Sequence, residues 1–259
     1  MTENTEPAII LTVENGLAHV TLNRPERLNA INDEGATLWR DIASEIVARS
    51  DIRAVLFDAR GRTFCAGGDV ASIASASGSD VNNLADTIHD GHLMLRECAK
   101  PIVAAVRGSV VGGGLGFMLV ADYIIASEKT VFASKYADVG LTPDCGVSTL
   151  LPEAIGMRRA LHLTLSDRVL SAAEALDWGL ITEIAPDDEL DDRARAVAGL
   201  WLNGATSAFG QAKRLLRAST GTDYASALAD EARTIGAAVD TAEATARMAA
   251  FLELRQSRP

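Results

Sequence analysis

Cysteine is scarce in this 259-residue chain: Cys65, Cys98 and Cys145 are its three copies, and no two form a CxxC pair. That excludes a disulfide framework and fits a reducing compartment. Long apolar runs are missing too. The nearest, residues 108–121, carries five glycines and stops at Asp122, short of the roughly 20 apolar residues of a membrane span. Positive charge is in deficit, with 24 Lys and Arg against 35 Asp and Glu and a net charge of -11. A field of that sign repels phosphate, which argues against broad binding to nucleic acid or to an anionic membrane. A phosphorylated small molecule remains open to it only through a local basic patch. There is no GxSxG nucleophile elbow, for which GVSTL at 146–150 is no substitute, no P-loop and no GxGxxG fingerprint. The opening MTENTEP is acidic and polar, unlike a secretory or Arg-rich transit leader, so a cytoplasmic location is expected.

What is present is ordinary for a globular chain, 48% hydrophobic and 23% charged residues. The length suits one large domain or a main domain with an appendage. Residues 9–13 and 17–22 alternate around Asn15-Gly16, a hairpin signal. After a polar loop, a helix is expected from Asn32 as cap, with Asp33 and Glu34 in its first turn and Leu38, Ile42 and Ile46 as its apolar stripe. A buried strand over 53–58 leads into a glycine-rich loop ending at Asp69. Residues 71–80, small and polar, read as a mobile loop that admits a substrate. A helix over about 81–98 carries Leu84, Ile88, His92 and Leu95 on one face, and 102–106 reads as a strand. Strand, glycine turn and helix thus occur twice, at 53–69 and 102–120, an architectural ββα repeat. Beyond Gly146 the chain reads as mostly helix, with one strand at 181–185 and four amphipathic helices near 187–203, 205–219, 223–239 and 241–254. That tail has little core of its own and is expected to pack on the main body or on a neighbouring subunit.

The chemistry-bearing residues concentrate in 108–146. Gly112-Gly113-Gly114 precedes an apolar helix and offers bare N–H groups. Gly67-Gly68 offers another from a second loop, and two such donors make an oxyanion hole. Equally, glycines there let a tight strand-to-helix turn form without a clash. Asp144, in Thr142-Pro143-Asp144-Cys145-Gly146, is a candidate base, although its type and place favour a helix N-cap on local grounds. His89 and His92 lie three apart on one helix with no third ligand in view, so no metal site is expected. Cys65 and Cys145 flank the two loops with no histidine near in sequence and read as apolar fillers.

Taken in order, LNRPERLNAIN, TFCAGGD at 63–69, KPIVAAVRGSVVGGGLGFMLVADYIIAS at 100–127, FASKYADVGLTPDCG at 132–146 and EALDWGLITEI at 174–184 resemble, nearly end to end, the blocks of the crotonase superfamily, the enoyl-CoA hydratase/isomerase family. The resemblance implies an α/β fold: a spiral of ββα units over 1–200 carrying an acyl-CoA site, then a C-terminal helical region over 201–259 that trimerises, often into a dimer of trimers. It implies an acyl-CoA thioester substrate, so CoA enters as part of the substrate and neither a separate cofactor nor a metal is expected. Gly68 and Gly113 match the two N–H donors that hold the thioester oxygen as an enolate forms. Ala66, Asp69 and Val70 match the loop at the adenine end of CoA, and Arg27 and Leu28 the opposite wall. Leu254 stands where many members carry a lysine near the CoA phosphates, with Arg255 beside it as a replacement cation.

Hydratases of this family use two glutamates, at the positions of Gly116 and Tyr136 here. Adding water needs a proton taken from water and one delivered to carbon, so their loss disfavours hydration. Moving a C=C bond needs one base, and ADVGLTPDCG resembles the isomerase branches in which an aspartate at the position of Asp144 is the acid–base group. An enoyl-CoA isomerase with Asp144 as its catalytic residue is therefore expected. The dienoyl branch has a glutamate at the position of Tyr136, which favours a single-base isomerase over it. Three rivals stand beside this reading. One is an enoyl-CoA hydratase. Another is the 4-chlorobenzoyl-CoA dehalogenase branch, with Asp144 as nucleophile, whose tryptophan is Tyr136 here and whose histidine has no clear match. The last is a non-catalytic acyl-CoA binder. Asp138, two residues beyond Tyr136, is a second carboxylate close to the same loop.

Overall fold

The computed structural model describes residues 6–256; residues 1–5 of the polar opening and residues 257–259 lie outside the described residues. Asn15 and Gly16, with φ of 53° and 88°, join β1 (Ile9–Glu14) to β2 (Leu17–Leu22), Ile9 opposite Leu22. Two successive positive-φ residues are what a two-residue hairpin turn requires. α1 (Asp33–Ala48) starts at Asn32, whose side chain accepts from Gly35 N at 3.0 Å, and buries Trp39, Ile42, Ala43 and Ile46, with Leu38 at the edge. β3 (Ala54–Ala59) then lies parallel to β2.

The expected mobile loop at 71–80 is mostly helix. Asp69 caps one turn, α2 (Val70–Ile73), and a capping box between Ser77 and Asp80 starts α3 (Gly78–Glu97) earlier than the apolar stripe suggests. Small polar residues there are helix-start chemistry: each side-chain oxygen satisfies an amide that the first turn leaves open.

The remaining strands alternate between two sheets. β4 (Ile102–Val106) and β6 (Tyr123–Ser127) extend the large sheet, while β5 (Ser109–Val111) and β7 (Val131–Ala133) build a small one. With β8 (Val169–Ser171) and β9 (Glu183–Ala185) added, the orders are β1-β2-β3-β4-β6-β9 and β5-β7-β8. Cys65 joins the small sheet through one parallel bridge to Val110. Each turn of the spiral thus lays one strand in either sheet, and α4 (Gly113–Leu119) follows the second strand of the middle turn. The pair β6-β7 is a third turn that the sequence pattern did not reveal, because no glycine loop marks it. β8 was also missed, being three residues long. α5 (Val147–Ile155), α6 (Met157–Thr164) and α7 (Ala172–Trp178) close that end.

One core lies between the large sheet and α1, α3 and α4. There Trp39, Phe57, Phe64 and Phe117 meet with centroid separations of 4.7 to 5.2 Å. His92 sits among them, accepting from Trp39 Nε1 through Nδ1 at 3.0 Å, and complete burial drives its pKa down to about 3. An unfolded histidine titrates near 6.5. Below that value the unfolded chain takes up a proton that the folded one refuses, so stability falls with falling pH, by about 1.4 kcal/mol per unit between the two pKa values. We expect urea denaturation at pH 5 to show a penalty of about 2 kcal/mol relative to neutral pH from this residue. His92→Asn, which keeps an acceptor for Trp39 without titrating, should remove that penalty.

A second core covers the other face, where α8 (Leu190–Asn203) lays Leu190, Ala194, Val197 and Trp201 on Leu56, Val103 and Ile125. α9 (Thr206–Ala218) is pinned by Lys213, whose side chain is 4% exposed. Its ammonium donates to Leu95 O at 2.8 Å and Lys100 O at 2.9 Å and pairs with Asp122 at 3.1 Å. α10 (Tyr224–Val239) and α11 (Ala242–Gln256) bury none of their described side chains, and Tyr224, Ile235, Phe251 and Leu252 lie exposed. The tail therefore divides, its first half on the body and its second standing off it. Among the described residues no helix is long and apolar enough to cross a membrane.

Candidate active site

The loop before α2 and the start of α4 are neighbours through the small sheet. Val111 N donates to Cys65 O at 3.0 Å, and Gly67, at φ 99°, approaches so closely that a Cβ on it would stand 3.1 Å from Val111 O and 3.3 Å from Gly113 N. Gly68 lies between the two rungs Ile31 N to Gly67 O and Asp69 N to Ile31 O, both 2.9 Å. Its own N–H points off that ladder. Among the described residues neither the Gly68 nor the Gly113 amide has a hydrogen-bond partner. A Cβ on Gly114 would meet Cys65 O at 2.4 Å, which explains the third glycine sterically, while Gly68 and Gly113 bring unpaired amides to one cavity.

That cavity measures about 510 Å³. Its floor is the backbone of 66–68 and 111–113. One wall is the stripe Gly78, Val81, Asn82 and Ala85 of α3; the opposite wall is Lys135, Tyr136, Asp138, Val139, Leu141 and Asp144. Asp144 faces Gly113: its Oδ1 lies 3.7 Å from where a Cβ on that glycine would stand. The local preference for a cap at Asp144 is not realised. Gly146, left-handed at φ 74°, is the residue that starts α5, and the Asp144 carboxylate instead accepts from Tyr136 Oη at 2.7 Å. Burial, then the charge of Asp144, pushes the Tyr136 phenol well above its ordinary value, so it stays a donor at any working pH. Asp138 does reach the cavity, but its side chain is 56% exposed at the rim and paired with Lys135 at 3.0 Å. We expect Tyr136→Phe to lower turnover about tenfold, the scale of one hydrogen bond to a charged group, with the melting temperature little changed. Steady-state kinetics beside a thermal melt would check it.

Of the other residues singled out in the sequence, Ala66 and Val70 line the cavity. Arg27 and Leu28 lie exposed on a 3-10 turn (Pro25–Arg27) and its left-handed cap, tied to the loop by Ala66 N donating to Leu28 O at 3.0 Å. The Asp69 carboxylate is engaged in capping α2 and in an ion pair with Arg24 at 3.2 Å. Arg255 stacks over Phe251, 5.5 Å from its centroid, and does not line the cavity; nor does Leu254. His89, in sequence only half of a histidine pair, comes to the loop of Asp144, where its Nε2 accepts from Cys145 N at 3.1 Å. The signal was available, since 78, 81, 82, 85 and 89 follow one helical stripe. The thiols of Cys65 and Cys145 are buried fillers, and desolvation raises the first to about 12. No group of three or more His, Cys, Asp or Glu among the described residues is placed to hold a metal ion.

Residues 12–258 match the family model described as Enoyl-CoA hydratase/isomerase. The chain belongs to that family. Its fold agrees: a crystal structure of an enoyl-CoA hydratase from Mycobacterium smegmatis superposes with a TM-score of 0.90 over 98% of each chain at 26% identity. A Rhodobacter capsulatus protein named "probable enoyl-CoA hydratase" is 33% identical over 245 residues, 94% of each chain. The 1,2-epoxyphenylacetyl-CoA isomerase of Escherichia coli is 34% identical over 194 residues, 73% of this chain and 74% of that one. Hydratases and isomerases therefore both stand among the relatives of this enoyl-CoA hydratase/isomerase family member, and the choice between them falls to its residues.

Proposed function

We propose that this enzyme is an isomerase that moves a C=C bond in an acyl-CoA thioester, CoA being part of the substrate. The observation that carries the reading is that, of the two carboxylates lining the cavity among the described residues, Asp144 alone lies beside the Gly113 amide, while Asp138 stands at the exposed rim paired with Lys135. With the thioester oxygen between the Gly68 and Gly113 amides, removal of an α proton by Asp144 gives an enolate held by two N–H donors. The same carboxyl group, fixed by the Tyr136 phenol, returns the proton further along the chain. Hydration in this family asks for two carboxylates, and their positions hold Tyr136 and Gly116, the latter with surroundings that leave no space for a side chain. The relative named as a 1,2-epoxyphenylacetyl-CoA isomerase supports the direction of this reading. A hydrolytic or dehalogenating reading, with Asp144 as nucleophile, gains one observation, the histidine at that loop; but the Nε2 of His89 is already taken by Cys145 N–H. In the assembly we propose, a trimer or dimer of trimers, the exposed apolar residues of α10 and α11 meet neighbouring subunits.

Incubation with a 3-enoyl-CoA, a 2-enoyl-CoA and a 4-chlorobenzoyl-CoA in deuterated water tests this. We expect conversion of the 3-enoyl to the 2-enoyl thioester with deuterium entering carbon. Hydration of the 2-enoyl thioester at rates typical of enzymes, roughly 1 to 10³ per second, would overturn it, as would chloride release. Sedimentation of the purified protein as a monomer would remove the proposed assembly.

A further inference from the structure

We propose that His89 is a positioning residue: by accepting the Cys145 N–H it locks the peptide plane that aims the Asp144 carboxylate at the reacting carbon. The proposal rests on the isomerase reading for its kinetics, although the contact itself does not.

The peptide that links Asp144 to Cys145 is held from both sides. Its carbonyl accepts from Val147 N at 2.9 Å, with Tyr136 Oη, whose one proton goes to the Asp144 carboxylate at 2.7 Å, in looser contact at 3.4 Å, and its N–H donates to His89 Nε2 at 3.1 Å. Rotation of that plane is rotation about the Cα–C bond of Asp144, which changes the backbone carrying the carboxylate. The bond on the carbonyl alone leaves the amide free to tilt; the bond on the N–H removes that freedom. The lock is needed because Cys145 is a non-glycine residue at φ 50° followed by Gly146 at φ 74°. A left-handed Cys145 costs about 1 kcal/mol or more and persists only where its surroundings insist on it. Tertiary contacts supply that here, with the buried thiol on one side and the imidazole on the other.

His89 also lies on the stripe of α3 that forms the cavity wall through Val81, Asn82 and Ala85. The helix that meets the acyl chain is thus the one that holds the base loop. On the far side of the Asp144 backbone a second cavity, about 490 Å³, is lined by His89, His92, Pro143, Asp144 and Gly146. The contact requires a bare Nε2 facing the Cys145 N–H. The groups around the ring are His92, neutral in its core, Cys145 and Asp144 on the loop, and Asp90 and Arg96 on the cavity rim, Arg96 being paired with Glu153 at 2.8 Å.

The test compares His89→Leu with His89→Gln, whose Oε1 can replace Nε2 as acceptor without titrating. His89→Leu should lower kcat about tenfold or more, since small misplacements of a reacting group are costly, with KM within about twofold. It should also speed hydrogen exchange at the Cys145 amide by a similar factor, read by mass spectrometry on the peptide containing it. His89→Gln should restore both to within about threefold. Wild-type kcat and exchange in His89→Leu would overturn the proposal, as would a glutamine variant no better than the leucine one. Should His89→Leu not fold, ¹⁵N-histidine spectra of the wild type decide: an Nδ1–H tautomer with bare Nε2 is required, and an Nε2–H tautomer refutes it. If the isomerase reading itself fails, the exchange comparison still reads the lock.

Discussion

Asp144→Asn should lower kcat for 3-enoyl-CoA isomerisation by about 10² to 10⁴, the range that a positioned acid–base group contributes, while KM stays within a few-fold. The amide is isosteric with the carboxylate, and its oxygen can still accept from Tyr136 Oη, the contact now 2.7 Å long. The loop keeps its Val147 N bond to the Asp144 carbonyl and its His89 bond to Cys145 N–H, so the fold and the two amides of Gly68 and Gly113 are undisturbed. What disappears is the group that we propose takes the α proton. A loss in kcat without a matching change in KM or in urea midpoint therefore points to chemistry. A variant that isomerises at the wild-type rate would remove Asp144 from the mechanism and leave the cavity a thioester-binding site with another base or none.

The site was partly legible in the residues alone, and the reason differs from group to group. Glycine runs announced backbone exposure, and the structure pairs Gly68 with Gly113 across a junction that no local pattern contains, because it depends on Cys65 and Val110 meeting in the small sheet. The aspartate was legible as a residue type, but its neighbours favoured a cap. Only the left-handed turn at Cys145 and Gly146 moves the start of α5 past it and frees the carboxylate. The Asn-Gly hairpin and the Asn32 cap are local physics and were readable in full. The small polar residues at 71–80 show the opposite error, since composition suggested mobility where Ser77 and Asp80 in fact start a helix. The helical stripe through 78, 81, 82, 85 and 89 places His89 on the cavity side of its helix, but its partner is a main-chain amide 56 residues away, and a backbone partner leaves no trace in side-chain spacing.

Gly116→Glu should fail to create a hydratase, and it should damage the enzyme in doing so. The position matches one glutamate of the family's hydratases, so the replacement looks like a restoration. Yet a Cβ there would stand 2.1 Å from Cys145 O, 2.6 Å from Cys145 Cβ and 2.9 Å from Cys145 C. These are main-chain atoms, or an atom joined directly to the main chain, so no flexible side chain can swing aside. The residue is fully enclosed in α4, with Leu115 and Phe117 at 0% exposure on either side. Forcing a side chain into such a packed core costs about 3 kcal/mol or more, equivalent to a fall in Tm of about 6–12 °C for a chain of this size. The structure relaxes only by pushing Cys145 outward, and Cys145 carries the peptide that aims Asp144. Isomerase activity should therefore fall together with stability, and no hydration of a 2-enoyl-CoA should appear. Gly113→Ala on the same helix is the control for crowding: its nearest contacts would be the Cys145 thiol at 3.3 Å, a tight distance that the sulfur relieves by giving a few tenths of an ångström, and Asp144 Oδ1 at 3.7 Å, an ordinary one, so the fold should survive. A folded Gly116→Glu protein that hydrates a 2-enoyl-CoA would show that the loop of Asp144 can vacate its place. The glutamate at this one position would then suffice for hydration even with Tyr136 at the other; if the variant behaves as expected, the difference between the two chemistries lies in the backbone path at Cys145 as well as in the residues.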